Sequence, residues 1–166
     1  MDDRDYDKLR ELEAAFERKD LSFFKTFLEH SKDFPLLLRV HSVCMLEHIG
    51  NDEMVKPLCH VLKEDESPLT RHEAAFTLGQ LGYRSAVPAL VEAMLNDTSP
   101  IVRHESAVAL SSIGDDAVIP ELKTAIEDED EDVRNSALIA FEYLTYLKGK
   151  KTTEAQSVVV KPKIRL

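Results

Sequence analysis

Apolar positions along the chain recur at helical spacing, and the pattern itself repeats. Ala74, Ala75, Leu78 and Leu81 form one stripe; Ala107, Val108, Leu110 and Ile113 form the next. Both stripes end at a glycine, Gly82 and Gly114, the residue best suited to the left-handed position that closes a helix. Both are preceded by Ser-Pro, at Ser67-Pro68 and Ser99-Pro100. Serine suits the N-cap, and proline suits the first helical position, where its missing N–H costs nothing. Segments Leu38-Arg39 to Gly50, Thr70-Arg71 to Gly82 and Val102-Arg103 to Gly114 superimpose at a 32-residue step, and Val133-Arg134 to Leu144 follows at 31. A further apolar run, with a proline near its start, precedes each of the last three: Val55 to Leu62, Val87 to Leu95 and Val118 to Ile126, with Pro57, Pro88 and Pro120.

Helix-turn-helix units of this length stack into all-α superhelices. The pattern predicts four hairpins, at about residues 20–49, 51–82, 84–113 and 115–147, with ends good to about 2 to 4 residues. An acidic helix from Asp5 to Arg18 precedes them. An Asp stands six residues before each repeat arginine: Asp33 and Arg39, Asp65 and Arg71, Asp97 and Arg103, Asp128 and Arg134. That register places an acid in the inter-helix turn and a guanidinium fork one turn into the next helix. It resembles the Asp-Arg ladder of HEAT repeats and reads as structural. The chain is therefore expected to be a HEAT-like solenoid over residues 1–147, with a basic tail over 148–166 that is flexible or docked on a partner.

Bulk properties narrow the class. With 166 residues, 43% of them apolar, the chain can bury one core, and no run is long and uncharged enough to span a membrane. The opening Met1-Asp2-Asp3-Arg4-Asp5 has neither the basic nor the apolar region of a secretory signal, so a cytoplasmic protein is expected. A formal charge of -10 argues against nucleic-acid binding and favours a cationic partner. In the tail, Lys148, Lys150, Lys151, Lys161, Lys163 and Arg165 face one acid, Glu154, and Ser157 to Val160 have the composition of a short strand. Cys44 and Cys59 match neither a redox nor a zinc spacing and read as small buried apolar residues.

Candidate chemistry follows two of the repeat arginines directly. His72-Glu73 and His104-Glu105 occupy identical register positions, whereas the outer repeats carry Val40-His41 and Asn135-Ser136 there. Neighbouring second helices stack about 8 to 10 Å apart, so the two pairs face a common groove. Imidazole with carboxylate suits non-haem iron or manganese better than structural zinc. A bland reading stands beside this one: the positions are ordinarily solvated, and repeat duplication copies a pair without giving it a function. His41 is near enough to the groove to support a ligand but reads first as a lone solvated histidine, while His30, His48 and His60 show no partner pattern and read as helix-surface or terminus residues. The acid run Glu127 to Asp132 lacks the spacing and glycine of a calcium loop and reads as a solvated turn at a helix start. No nucleophile elbow, phosphate loop or dinucleotide glycine pattern is present.

Residues 36–147, above all Arg71-His72-Glu73-Ala74-Ala75-Phe76-Thr77-Leu78-Gly79-Gln80-Leu81 and Val102-Arg103-His104-Glu105-Ser106-Ala107-Val108-Ala109-Leu110, resemble one half of deoxyhypusine hydroxylase, the HEAT-repeat di-iron oxygenase. That family joins two such halves around two irons. The resemblance implies that His72, Glu73, His104 and Glu105 are the metal-site residues, that dioxygen is the co-substrate, and that the substrate is an amine or a cationic protein. Since this sequence carries one half, it further implies a homodimer holding two ions of iron, or of manganese, between two copies; a different half-length partner is the variant. A non-catalytic interaction scaffold is the alternative, and resemblance to the bilin-lyase HEAT-like proteins ranks third because the His-Glu pairs match the oxygenase better.

Overall fold

The computed structural model describes residues 3–159, with side chains through residue 151. Among them stand nine α-helices: α1 Asp3–Glu17, α2 Leu21–Glu29, α3 Leu36–Ile49, α4 Val55–Glu64, α5 Pro68–Leu81, α6 Val87–Asn96, α7 Pro100–Ile113, α8 Ile119–Ala125 and α9 Glu131–Val159. Helices α2/α3, α4/α5, α6/α7 and α8/α9 are the four expected hairpins, and α1 packs against the first of them. Second helices lie side by side in the order α3, α5, α7, α9, and first helices in the order α2, α4, α6, α8. The core between the two layers is aliphatic, with Leu46, Leu58, Leu62, Leu78, Leu90, Met94, Leu110 and Leu122 fully buried.

Helix ends follow the chain's punctuation with one exception. Pro68 and Pro100 open α5 and α7, and Gly82 and Gly114 close them at φ of 72° and 73°. Ser67 and Ser99, however, make no side-chain caps. The turn acids act instead: Asp65 Oδ1 accepts from the Ser67 N–H at 2.9 Å, and Asp97 Oδ1 from the Ser99 N–H at 2.8 Å. Two residues back, a carboxylate closes this turn more strongly than a serine hydroxyl would.

The arginine ladder links repeats as well as turns. Arg71 NH1 donates to the carbonyl of its own turn acid, Asp65, at 2.9 Å, while Nε and NH2 grip the next repeat's Asp97, both at 2.8 Å. Arg103 does the same, with the Asp97 carbonyl at 2.9 Å and Asp128 at 2.8 and 2.9 Å. Arg39 is a looser rung, 3.5 Å from Asp65 and bonded at 2.9 Å to the exposed Glu66.

Two positions fix how closely the second helices approach. A Cβ on Gly79 would stand 2.8 Å from Ala109 Cα and 2.9 Å from its Cβ, so the small pair lets α5 and α7 meet backbone to backbone. Thr77 Oγ1 of α5 donates to the Val43 carbonyl of α3 at 3.3 Å. At the far end, α9 continues to Val159, so Ser157, Val158 and Val159 are helical and not the strand that the valine run suggests. Lys148 to Gln156 hold no proline, and Lys148, Lys150, Lys151, Glu154, Ala155 and Gln156 are good helix formers that offset Gly149, Thr152 and Thr153, which lets the helix propagate. The remainder of the basic tail, with Lys161, Lys163 and Arg165, lies outside the described residues.

Candidate metal centre

The close α5–α7 approach brings the first His-Glu pair against the second. His72 Nε2 lies 3.4 Å from Glu105 Oε2, across the helix pair, and its Nδ1 lies 3.5 Å from Glu73 Oε1 on its own helix. Glu105 is buried, its side chain only 10% exposed, while His72 and Glu73 are about a quarter open to solvent, at 27% and 22%. The Glu105 carboxylate at Nε2 raises the His72 pKa above its ordinary value; burial opposes the rise and Glu73 adds to it. Nδ1 is buried without a hydrogen-bond partner.

His104 is held differently. Its Nδ1 lies 2.7 Å from Ser136 Oγ and 3.4 Å from the Asp132 carbonyl oxygen, both on α9. Together His72, His104, Pro100, Ile101, Asp130 and Asp132 line one open recess of about 300 Å³. Asp130 is tied to the helix start, its Oδ1 accepting from the N–H groups of Asp132 and Val133 at 3.0 and 3.2 Å. At the opposite end of the row, Cys44 Sγ of α3 donates to Glu73 Oε2 at 3.4 Å. Burial, and the carboxylate beside it, push the Cys44 thiol up to about 11, which keeps it protonated as a donor.

Sequence reasoning thus found four members of this row and missed four neighbours. Asp130 and Asp132 belong to the acid run that reads as a solvated turn, yet they line the recess. Cys44 is half-buried and touches Glu73, so it is more than core filling. Ser136 stands in the register position of Glu73 and Glu105, a signal that the repeat alignment contains. Among the described residues, His41 makes no hydrogen bond to the row, and His30 bonds the Thr26 carbonyl at 3.0 Å, far along the chain.

In chemistry the donor set fits a transition metal: two imidazoles, two carboxylates, and a His72 Nδ1 shut away from water that makes no hydrogen bond among the described residues, the Glu73 carboxylate standing 3.5 Å away. In arrangement it is incomplete. No three His, Cys, Asp or Glu side chains among the described residues lie close enough together to hold an ion.

Comparison with known proteins agrees with the fold. The family described as HEAT repeats matches residues 55–142. A deoxyhypusine hydroxylase from Dictyostelium discoideum is 41% identical over 58 residues, 35% of this chain and 18% of that protein. The solved structure of human deoxyhypusine hydroxylase in complex with glycerol superimposes with a TM-score of 0.69 at 28% identity, covering 83% of this chain and 47% of the human one. The chain therefore spans about half the length of the solved relative, and the match to the curated one covers a smaller part still.

Proposed function

The chain belongs to the HEAT-repeat family, and on that scaffold we propose that it is a metal-dependent oxygenase whose two-iron centre is completed by a second copy of itself. The observation that carries the proposal is the contact between His72 and Glu105 at a recess that His104 also lines, where no three donors among the described residues of one copy are arranged to hold an ion. A twofold pairing doubles the set to four imidazoles and four carboxylates, and such pairing is the commonest form of association. Leu37, Leu69 and Ile101, each two residues before a repeat arginine, are 51%, 44% and 47% exposed. They form an apolar row along the edge of the site that a second copy would cover.

In this reading His72 and His104 would hold iron through imidazole nitrogen, and Glu73 and Glu105 would serve as carboxylate ligands or as hydrogen-bond partners beside it. Iron, with manganese as the alternative ion, supplies the activation of dioxygen. The protein's own part begins with His72, which releases Glu105 and any proton it carries when it takes a metal. Asp130 and Asp132 give the recess a negative wall that attracts and orients a cationic amine. Pro100 and Ile101 supply an apolar wall beside it.

Dioxygen uptake by the iron-loaded chain, measured with peptides bearing lysine-derived amines and with a chemical reductant to supply the two electrons that reduce the second oxygen atom to water, tests the reading. Amine-dependent uptake that disappears in both His72→Ala and His104→Ala is expected. Uptake that is unaffected by either substitution rules these residues out as the site, and failure of the loaded wild type to take up oxygen with any amine favours the interaction-scaffold reading.

A further inference from the structure

Among the described residues, His104 is gripped from α9. Its Nδ1 meets Ser136 Oγ at 2.7 Å and the Asp132 carbonyl oxygen at 3.4 Å, and Ser136 is buried, 8% exposed. The repeat geometry accounts for the contact. The residue two after a repeat arginine reaches back to the histidine one after the preceding arginine: Glu105 of α7 to His72 of α5, and Ser136 of α9 to His104 of α7. One step of the solenoid thus produces a carboxylate on one imidazole and a hydroxyl on the other.

The two oxygens around Nδ1 determine where its proton sits. A carbonyl oxygen only accepts, whereas a serine hydroxyl donates or accepts. With Nδ1 bare, its lone pair would face the lone pairs of the Asp132 carbonyl. With a proton on Nδ1, the ring donates to Ser136 Oγ and more weakly to the carbonyl, and Nε2 keeps its lone pair. Histidine free in water favours the opposite tautomer, with the proton on Nε2, so the clamp has to impose this one. His72 is held differently: its Nδ1 has only the Glu73 carboxylate, 3.5 Å away, and makes no short hydrogen bond among the described residues.

We propose that Ser136 is a positioning residue: with the Asp132 carbonyl it holds His104 as the Nδ1–H tautomer and so makes Nε2 the electron-pair donor to a cation in the recess. The cation rests on the metal-site reading above; the tautomer rests on the hydrogen-bond geometry alone. A hydroxyl is suited to the task because it fixes the ring without adding another charge, and outer partners of this kind commonly set both the orientation and the basicity of a ligating imidazole.

The test uses the whole, metal-free, ¹⁵N-labelled chain, about two pH units above the ordinary imidazole pKa of about 6.5. Long-range proton–nitrogen correlation spectra of wild type, Ser136→Ala and Ser136→Thr report the His104 tautomer, and anaerobic Fe(II) titrations of the same samples report affinity. The expected results are an Nδ1–H ring in wild type, a shift toward Nε2–H in Ser136→Ala with about 10- to 100-fold weaker Fe(II) binding, and recovery of both in Ser136→Thr, which keeps the hydroxyl. An Nε2–H ring in wild type, an unchanged tautomer in Ser136→Ala, or an unchanged affinity overturns the assignment. Failure of the metal reading has a different signature: a Ser136-dependent tautomer in a protein that takes up no Fe(II) supports the clamp and removes the iron.

Discussion

Arg103→Ala is the most informative single cut in the scaffold, because Arg103 joins the third hairpin to the fourth. Its side chain is 8% exposed and makes three short bonds, two to the Asp128 carboxylate at 2.8 and 2.9 Å and one to the Asp97 carbonyl at 2.9 Å. Truncation leaves a carboxylate that is itself only 12% exposed without its cation, and removes a partner from the part-buried Asp97 carbonyl. Breaking a buried pair from one side costs about 3 to 5 kcal/mol, a large share of the roughly 5 to 15 kcal/mol that stabilises a domain. Arg134 provides the contrast: it donates to the Asp128 and Glu129 carbonyls at 2.8 and 2.9 Å and, among the described residues, grips no carboxylate. Its loss exposes carbonyls that water can satisfy, at a cost of about 1 to 2 kcal/mol. Urea unfolding followed by far-ultraviolet circular dichroism distinguishes the two. Because each repeat is stabilised only by its neighbours, Arg103→Ala is also expected to split the transition, the last hairpin melting first. In the double variant Arg103→Ala/Asp128→Ala, removal of the stranded carboxylate makes the loss smaller than the sum of the singles. Arg103→Ala costing no more than Arg134→Ala, or a strictly additive cycle, would refute the ladder as the element that couples repeats.

Core and site separate in a second comparison: Leu110→Ala, at a fully buried position, costs about 2 to 5 kcal/mol, whereas His104→Ala leaves the melting temperature of the metal-free protein almost unchanged. A large loss in His104→Ala would mean that the imidazole is a core residue. Gly79→Ala lowers stability although alanine is the better helix former by about 1 kcal/mol, since its Cβ must push Ala109 Cα back from 2.8 Å and overpacking costs about 1 to 3 kcal/mol; a raised melting temperature contradicts the close approach. Hydrogen bonding to Arg103 holds the Asp128 pKa below the ordinary carboxylate value. Such a group stabilises the fold fully above its unfolded pKa of about 3.9 and loses that contribution as pH falls through its folded value. The stability gap between wild type and Arg103→Ala therefore narrows on acidification, and an acid titration in which it widens would show that the pair is not the cause.

Repeat period, hairpin order and helix ends were legible in the sequence because each rests on local chemistry. Pro68, Pro100, Gly82 and Gly114 mark backbone positions that few other residues fill equally well. What escaped was decided between helices. Serine before proline suggests a side-chain cap, but the Ser67 and Ser99 hydroxyls make none, and the turn is closed by Asp65 and Asp97, which accept from the serines' own N–H groups. The Asp-Arg ladder was legible too, since its spacing sets a guanidinium fork to bridge neighbouring turns; which acid receives the fork, the next repeat's, is a fact of stacking. His72, Glu73, His104 and Glu105 stood out by type and register. Cys44, Ser136, Asp130 and Asp132 join them only through contacts with a neighbouring helix, which no linear spacing displays.

The central claim, a metal site shared between two copies, is tested most directly by measuring iron content and molar mass on one anaerobically purified sample, for wild type and for His72→Ala/His104→Ala. The account predicts about one iron per chain in a wild-type dimer of the 18.8 kDa chain, and no bound iron in the double variant. A protein that stays monomeric while carrying its iron, or one that remains metal-free after reconstitution with iron and manganese, would contradict it.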